Sequence, residues 1–148
     1  MTKVLLSTGG TGGHIFPILS LYSRLKKIRE IEDIKIMTDE RAKQFIKSND
    51  IKIIKSESPF RKKGIIHILT TFYYIFVSTL KCIYFLISYR PKIIIGSGGY
   101  VSVPILLASS ILRKNFIIYE TNSVLGRVNR LFLPFCKKLL SGYLEIKK

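Results

Sequence analysis

The sequence predicts an α/β protein with a Rossmann-like, doubly wound and mainly parallel sheet. Strand-like apolar runs alternate with helical segments over the whole chain, which is the pattern of a parallel sheet with helices on both faces. Most of these strands are continuous apolar runs, as expected for strands that are covered on both sides. Two of them run directly into glycine-rich turns. With 148 residues, the chain has room for one such domain.

The chain opens with a buried strand at residues 3–7, which ends where a glycine-rich run begins at residues 9–13. From Ile15 onward, apolar residues recur every three or four positions, and this spacing predicts a helix with one face on the core. Pro17 falls in the first turn of that predicted helix, where a missing backbone N–H costs little.

Two shorter strands and a loop complete the first half. Residues 34–37 and 51–55 are apolar runs that predict strands. Thr38 or Asp39 can cap a short helix between them that extends to about residue 48. Residues 56–64 are polar and basic and predict a loop.

The second half begins with a long apolar stretch at residues 65–89, which predicts a helix that ends before Pro91. The strand after it leads into the second glycine-rich turn at residues 96–100. The remaining predicted strands are residues 92–96, 115–119 and 138–140, and the remaining predicted helices are residues 101–112 and 123–132.

The charge of the chain is high and unevenly spread. Twenty-five basic residues stand against 9 acidic ones, a net charge of +16. Residues 1–58 carry +4 (11 basic, 7 acidic), and residues 59–148 carry +12 (14 basic, 2 acidic). Such a field favours an anionic partner, which is nucleic acid, anionic lipid or a phosphorylated substrate. A lysine-rich composition accounts for part of the magnitude.

Composition also excludes several classes of protein. Two cysteines, Cys82 and Cys136, are too few for a disulfide scaffold or a metal cluster, so we expect no metal. We also expect no cofactor. We expect no nucleic-acid partner, because no recognition motif is present and the basic residues are not interleaved with a patterned aromatic platform. A steep salt-dependent affinity for nucleic acid would reverse that expectation. No cleavable signal peptide is visible.

The first candidate site is the glycine run at residues 9–13 together with His14. Backbone N–H groups and the helix dipole at a strand–helix turn favour a phosphate. The run fits neither the dinucleotide fingerprint, because Ile15 takes the third glycine position, nor the P-loop, because no Gly-Lys-Ser/Thr follows. His14 is placed to contact a ligand or to act as a general base. The alternatives are glycines that serve packing alone and a histidine that is capping or merely exposed.

Two further candidate segments follow later strands. Tyr100 and Ser102, at the second glycine-rich turn, are expected to point into the same crevice as the first run. Glu120 ends a strand, and Asn122 can hydrogen-bond a sugar or a phosphate; the alternative for Asn122 is a helix N-cap. Because ligands bind at the carboxyl ends of parallel strands, we expect all three segments to meet there.

Four segments of the chain, in this order, share the pattern of one enzyme family. They are GGTGGHIFP at residues 9–17, RKKGI at 61–65, GSGGYVSVP at 96–104, and ETN at 120–122 with Gly126 and Asn129. Together they resemble the MurG-type UDP-N-acetylglucosamine transferases of glycosyltransferase family 28, over essentially the whole chain. Tyr119 and Thr121 depart from the pattern, since the family usually has histidine and glutamine there.

The resemblance implies the N-terminal half of a GT-B glycosyltransferase. Such enzymes move N-acetylglucosamine from UDP-GlcNAc to lipid I, undecaprenyl-pyrophosphoryl-MurNAc-pentapeptide, in peptidoglycan synthesis. Residues 1–148 would be the acceptor-binding, membrane-associating domain, without the C-terminal donor domain, and inactive alone. The alternatives are a subunit of a split transferase with a separate donor domain, and a non-catalytic membrane-associated module that binds lipid-linked or UDP sugars.

The resemblance also implies roles for individual residues. His14 would activate the acceptor hydroxyl or steady developing phosphate charge, and Glu120 is a second catalytic candidate. The first glycine run and Asn122 would contact the donor, whereas Tyr100 and Glu120 would line the acceptor side. The substrate-binding candidates are Thr11, Gly12, Gly13, Gly98, Gly99, Tyr100, Ser102 and Asn122.

The apolar residues 64–88 raise the question of a membrane. As a helix they would be roughly 36 Å long, enough to cross a bilayer. A crossover helix packed on the sheet is favoured, because a membrane span would separate the strands that it joins. We therefore expect its outer face to enter the interface of an anionic membrane, and the resemblance implies a peripheral protein on the cytoplasmic face of the bacterial inner membrane. The membrane-contact candidates are Arg61, Lys62, Lys63, Phe72, Phe76 and Lys81.

Overall fold

The computed structural model describes residues 2–9, 11–46, 51–53 and 65–145, and these residues form a six-stranded sheet with helices on both faces. The strands are β1 Thr2–Ser7, β2 Ile31–Thr38, β3 Ile51–Ile53, β4 Ile93–Gly96, β5 Ile117–Glu120 and β6 Lys138–Ser141. The helices are α1 Gly12–Leu25, α2 Ile65–Tyr89, α3 Ser102–Ile111 and α4 Arg127–Phe132, with 3₁₀ turns at Glu40–Gln44 and Leu133–Phe135.

The strand order is β3-β2-β1-β4-β5-β6, and every pair of neighbours is parallel. The chain winds outward from β1 to β3, returns through α2, and winds outward again from β4 to β6. This order confirms the Rossmann-like, doubly wound fold. It also places the topological switch point between β1 and β4, where ligands of such sheets bind at the carboxyl ends of the strands.

The side chains of β1 alternate between two separate cores. Val4 and Leu6 face α1, where they pack with Ile15 and Ile18 of that helix. Leu5 faces the layer formed by α2, α3 and α4 on the other side of the sheet. Because both faces are covered, the strand is apolar at three consecutive positions, which is the pattern from which the parallel sheet was predicted.

Three predicted helices differ in extent from those observed. The first begins within the glycine run, at Gly12 rather than at Ile15, so Pro17 lies in its second turn. The helix predicted after Asp39 is only the five-residue 3₁₀ turn, although Asp39 does cap it by accepting from the Arg41 N–H at 3.1 Å. The helix predicted from residue 123 begins at Arg127, because the preceding turn is held by hydrogen bonds to a buried carboxylate.

The turn after α3 contains a non-glycine residue with a positive φ, and its effect on the stability of the chain can be tested. Arg113 is exposed and has a φ of 51°, in the left-handed region. That conformation costs a non-glycine residue about 1 kcal/mol or more. Arg113→Gly is therefore expected to raise the free energy of unfolding by about 0.5–1 kcal/mol, after the entropy of glycine in the unfolded chain is subtracted. Urea titration measures it; Arg113→Ala, which keeps the strain, should give no gain, and an equal gain would contradict the explanation.

Candidate functional site

The three segments singled out from the sequence meet at the carboxyl edge of the sheet. Gly9 follows β1 and lies against Gly99, which follows β4: a Cβ built on Gly99 would be 3.3 Å from the Cα of Gly9. Thr121, which follows β5, donates a hydrogen bond from its Oγ1 to the Gly13 carbonyl at 3.3 Å. Residues more than 100 positions apart are thus brought together around the start of α1.

The second glycine turn has a backbone that favours glycine at two consecutive positions. Gly98 has a φ of 89° and Gly99 a φ of 75°. A Cβ on Gly98 would also lie 3.0 Å from both terminal atoms of the Asn129 side chain. The loop can therefore lie directly on its neighbours, and its backbone rather than any side chain forms this wall of the crevice.

The first glycine run forms the N-terminus of α1. The Thr11 carbonyl accepts from the N–H groups of His14 and Ile15, both at 3.0 Å, and the Thr11 side chain makes no capping hydrogen bond. Thr11 and Gly13 are exposed, and no acidic residue lies in the first turn. The positive end of the helix dipole therefore faces an accessible surface, which suits an anionic group.

Pro17 explains how the third segment attaches to this helix. A proline inside a helix cannot donate to the carbonyl four residues earlier, which here belongs to Gly13. That carbonyl instead accepts from Thr121. A residue that departs from the family pattern thus supplies a direct hydrogen bond between the first and third segments.

The His14 side chain lies close to the backbones of both Gly9 and Gly99. Its Cδ2 would be 3.8 Å from a Cβ built on Gly9 and 4.0 Å from one built on Gly99. Its Nδ1 is buried and has no hydrogen-bond partner among the described residues. Because buried polar atoms are nearly always paired, this nitrogen marks a place where a ligand or a water would bond.

The second segment places its two polar candidates differently. Tyr100 is half-buried at the start of α3. Ser102 was expected to point into the crevice, but it is fully buried. Its Oγ donates to the Gly98 carbonyl at 2.8 Å and accepts from the Ser7 Oγ at 3.2 Å. Ser102 therefore fixes the glycine turn from below, and its expected direction was wrong.

The third segment contains a buried carboxylate. Glu120 has no exposed surface, whereas Asn122 is exposed. Burial alone would raise the pKa of Glu120, but hydrogen bonds from Gly126, Asn129 and Asn122 outweigh it and hold the pKa below its ordinary value. The stability that this carboxylate contributes is present above the ordinary carboxyl pKa and is lost as the pH falls through the lowered one.

The two cysteines offer no nucleophile at neutral pH. Burial raises the pKa of the Cys82 thiol to about 12 and also raises the pKa of Cys136. Both thiols therefore stay protonated. Within the described ranges, no group of three or more His, Cys, Asp or Glu side chains is placed to hold a metal ion.

The membrane-contact candidates lie on α2 or before it. Phe72 and Phe76 are 65% and 63% exposed. Lys81 is exposed and lines a cavity of about 590 Å³ between α2 and the ends of β2 and β3. Arg61, Lys62 and Lys63 lie outside the described residues.

Three residues, Ser7, Thr121 and Asn129, make contacts in this site that were not predicted from the sequence. Ser7 is an ordinary strand residue in the sequence, and its partner is 95 positions away. Asn129 is a buried polar residue inside a short helix. The one sequence signal for Thr121 is the proline that frees the Gly13 carbonyl.

The structure is a Rossmann-like α/β domain in which the N-terminus of α1 and the two glycine segments meet at the carboxyl edge of the sheet. The chain belongs to glycosyltransferase family 28: the N-terminal domain of that family matches residues 4–141.

The relatives with similar sequences are UDP-N-acetylglucosamine--N-acetylmuramyl-(pentapeptide) pyrophosphoryl-undecaprenol N-acetylglucosamine transferases. That of Rickettsia conorii is 37% identical over 147 residues, which is 99% of this chain and 38% of the relative. That of Rickettsia canadensis is 36% identical and is covered to 40%. The chain therefore spans about two fifths of the length of these curated relatives.

Solved structures share the fold. MurG of Acinetobacter baumannii superposes with a TM-score of 0.80 at 21% identity, over 100% of this chain and 43% of that one. The UDP-GlcNAc 2-epimerase of Neisseria meningitidis, solved with UDP-GlcNAc, gives 0.65 at 15% identity, over 94% and 39%. At these identities, the likeness bears on the fold alone.

Two glycines of the crevice should respond in opposite ways to alanine. Gly98→Ala is expected to destabilise the chain by about 1–3 kcal/mol, because of its positive φ and the contact with Asn129. Gly13→Ala should be neutral or stabilising by up to about 1 kcal/mol, since a Cβ there meets nothing within 4 Å. Thermal unfolding of both variants measures the difference; equal losses would contradict the structure of the second turn.

Proposed function

We propose that this chain is the acceptor-binding, N-terminal domain of a transferase that moves N-acetylglucosamine from UDP-GlcNAc to lipid I in peptidoglycan synthesis. The observation that carries the proposal is the convergence of the glycine run, the glycine turn and the Thr121 segment around the N-terminus of α1. Family membership and the names of the relatives support the choice of reaction. A donor domain, in the same or a separate chain, would supply the rest of the UDP-GlcNAc site.

The chemistry sets what the crevice must do. An acceptor hydroxyl oxygen bonds to the anomeric carbon of GlcNAc, the bond from that carbon to the diphosphate oxygen breaks, and the hydroxyl proton passes to a base. His14 is a group of this crevice suited to take the proton or to bond the phosphate, because its half-buried ring stands at the start of α1 and lies against both glycine segments. The positive end of α1 favours an anionic diphosphate, a group that UDP-GlcNAc and lipid I both carry.

The outer surface of α2 supports a membrane partner. The helix turns small or hydroxyl side chains toward the domain, among them Thr71, Ser78, Thr79 and Cys82. The hydroxyls of Thr71 and Thr79 bond to carbonyls of their own helix, four residues earlier, and so are buried without loss. Large apolar residues face outward along the length of the helix: Ile65, Leu69, Phe72, Tyr73, Phe76, Leu80, Tyr84 and Ile87.

The way α2 packs on its own domain favours a helix that lies in the membrane surface rather than one that spans the bilayer. By length and composition, α2 is long and apolar enough to cross a bilayer. It packs along α3, however, and its buried residues lie one or two helical turns apart from Thr71 to Leu86. A helix fixed to its own domain on one side can lie in the membrane interface with the other. We place the domain on the cytoplasmic face of the inner membrane, where a lipid-linked acceptor would be collected.

Ligand titration tests the acceptor role directly. The purified chain in mild detergent is expected to bind lipid I saturably and UDP-GlcNAc weakly, and His14→Ala should weaken lipid I binding about tenfold or more, since a hydrogen bond to a charged group contributes about 1.5–3 kcal/mol. Gly13→Ala, which is expected to keep the fold, should also weaken lipid I binding if the ligand lies directly on the backbone at that position. Binding of UDP-GlcNAc without lipid I would contradict the proposal.

Vesicle binding tests the outer face of α2. Replacing both Phe72 and Phe76 with serine should weaken binding to phosphatidylglycerol-containing vesicles at least about tenfold, because each buried phenylalanine contributes about 1.5–3 kcal/mol. Sedimentation with vesicles measures it. Ile28→Ser, at an exposed apolar residue of the turn after α1, is the matched control and should bind as well as the parent. Equal binding by all three proteins would exclude α2 as the membrane contact.

A further inference from the structure

We propose that Glu120 is a positioning residue that holds the Asn122 segment and the Gly98–Gly99 turn in one arrangement, directly through Asn122 and indirectly through Asn129. The inference deepens the proposed function, because the two parts that it joins are walls of the proposed acceptor crevice. It replaces the role of catalytic candidate that sequence analysis gave to Glu120.

Each oxygen of the carboxylate accepts two hydrogen bonds. Oε1 accepts from the backbone N–H and from the side-chain Nδ2 of Asn122, both at 3.0 Å. Oε2 accepts from the Gly126 N–H at 2.9 Å and from the Asn129 Nδ2 at 2.8 Å. The carboxylate therefore closes the turn between β5 and α4, because it holds Asn122 and Gly126 of the turn and Asn129 of the helix.

Two sets of contacts, called arms below, leave the carboxylate: the first arm is the pair of bonds to Asn122, and the second arm runs through Asn129 to the glycine turn. Asn129 is 1% exposed, and its side chain lies directly against Gly98. The Gly98 carbonyl is tied to Ser102, and Gly99 in turn contacts Gly9. Because these groups are in contact without intervening space, a displaced Asn129 side chain cannot leave the turn unchanged.

The same geometry argues against proton transfer by Glu120. A general base must come within hydrogen-bond reach of the proton that it removes. Glu120 has no exposed surface, and its four lone-pair sites are matched by four donors. A substrate hydroxyl could reach it only after one of those donors had left.

Moving the carboxylate from position 120 to position 129 separates a positioning role of Glu120 from a role in proton transfer. In Glu120→Gln, one of the two acceptor oxygens becomes an NH₂ group that donates, so the side chain can no longer accept from both pairs of donors, and the amide resonances of Gly98, Gly99 and Asn122 should shift in a ¹H–¹⁵N spectrum. Adding Asn129→Asp restores a hydrogen bond between positions 120 and 129 with donor and acceptor exchanged. The Gly98 and Gly99 resonances should then return toward their parental positions, although position 120 carries no charge.

Two single variants separate the arms in a protein that keeps the carboxylate. Asn129→Ala should shift Gly98 and Gly99 and leave the Asn122 amide nearly unchanged, whereas Asn122→Ala should leave both glycines in place. Ile118→Val, in the core of the same strand, is the control for loss of stability alone and should move neither set. Unmoved glycine resonances in Glu120→Gln and Asn129→Ala, or equal shifts in Ile118→Val, would overturn the proposal.

Titration with lipid I tests whether the positioning by Glu120 affects ligand binding. Glu120→Gln should weaken binding about tenfold or more, and the double variant should recover most of that loss. Weak binding by the double variant despite restored glycine resonances would show that the charge at position 120 is required, which overturns a purely positioning role. The spectra need no ligand, so failure of the parent chain to bind lipid I would count against the proposed function and leave the test of Glu120 intact.

Discussion

The close approach of two glycine backbones at the switch point of the sheet is the constraint on which the rest of the site depends. Gly9 and Gly99 follow β1 and β4, the two central strands, and a side chain on Gly99 would meet the Gly9 backbone. Because neither residue has a side chain, the start of α1 and the start of α3 lie side by side at one edge. His14 can then lie against both turns, and the crevice has walls of backbone that a bulky charged ligand can approach.

The residues that shape α1 are also among the proposed ligand contacts. The glycine run starts the helix, so its N–H groups face outward, and Pro17 removes one internal hydrogen bond and frees the Gly13 carbonyl. Thr121 uses that carbonyl to join the third segment to the helix. Structural roles and proposed binding roles therefore coincide in the same short stretch, and a substitution there has to be judged by folding and by binding separately.

The sheet and the three ligand segments could be predicted from the sequence because both depend on local patterns. Apolar runs mark the strands, and glycine runs mark the turns at their ends. The direction of Ser102 and the late start of α4 could not be predicted, because Ser102 depends on Ser7, 95 residues away, and α4 on the acceptors of a buried Glu120. The inward face of α2 was equally hidden, since its threonines and serines look polar in sequence yet lie against the domain, whereas Phe72 and Phe76 are exposed on the outer face as predicted.

The direction of α2 connects its apolar face with the crevice. A helix that crosses between parallel strands starts at their carboxyl edge and ends at their amino edge, so Ile65 and Leu69, 75% and 64% exposed, lie toward the edge that holds the glycine turns. An acceptor held in a bilayer by its lipid presents its sugar just outside the headgroups. With α2 in the interface, that sugar and the diphosphate beside it would meet the N-terminus of α1 without the lipid leaving the membrane. Under the proposed function, the apolar helix and the glycine crevice serve one requirement, which is to bring a water-soluble sugar donor to a lipid-anchored acceptor.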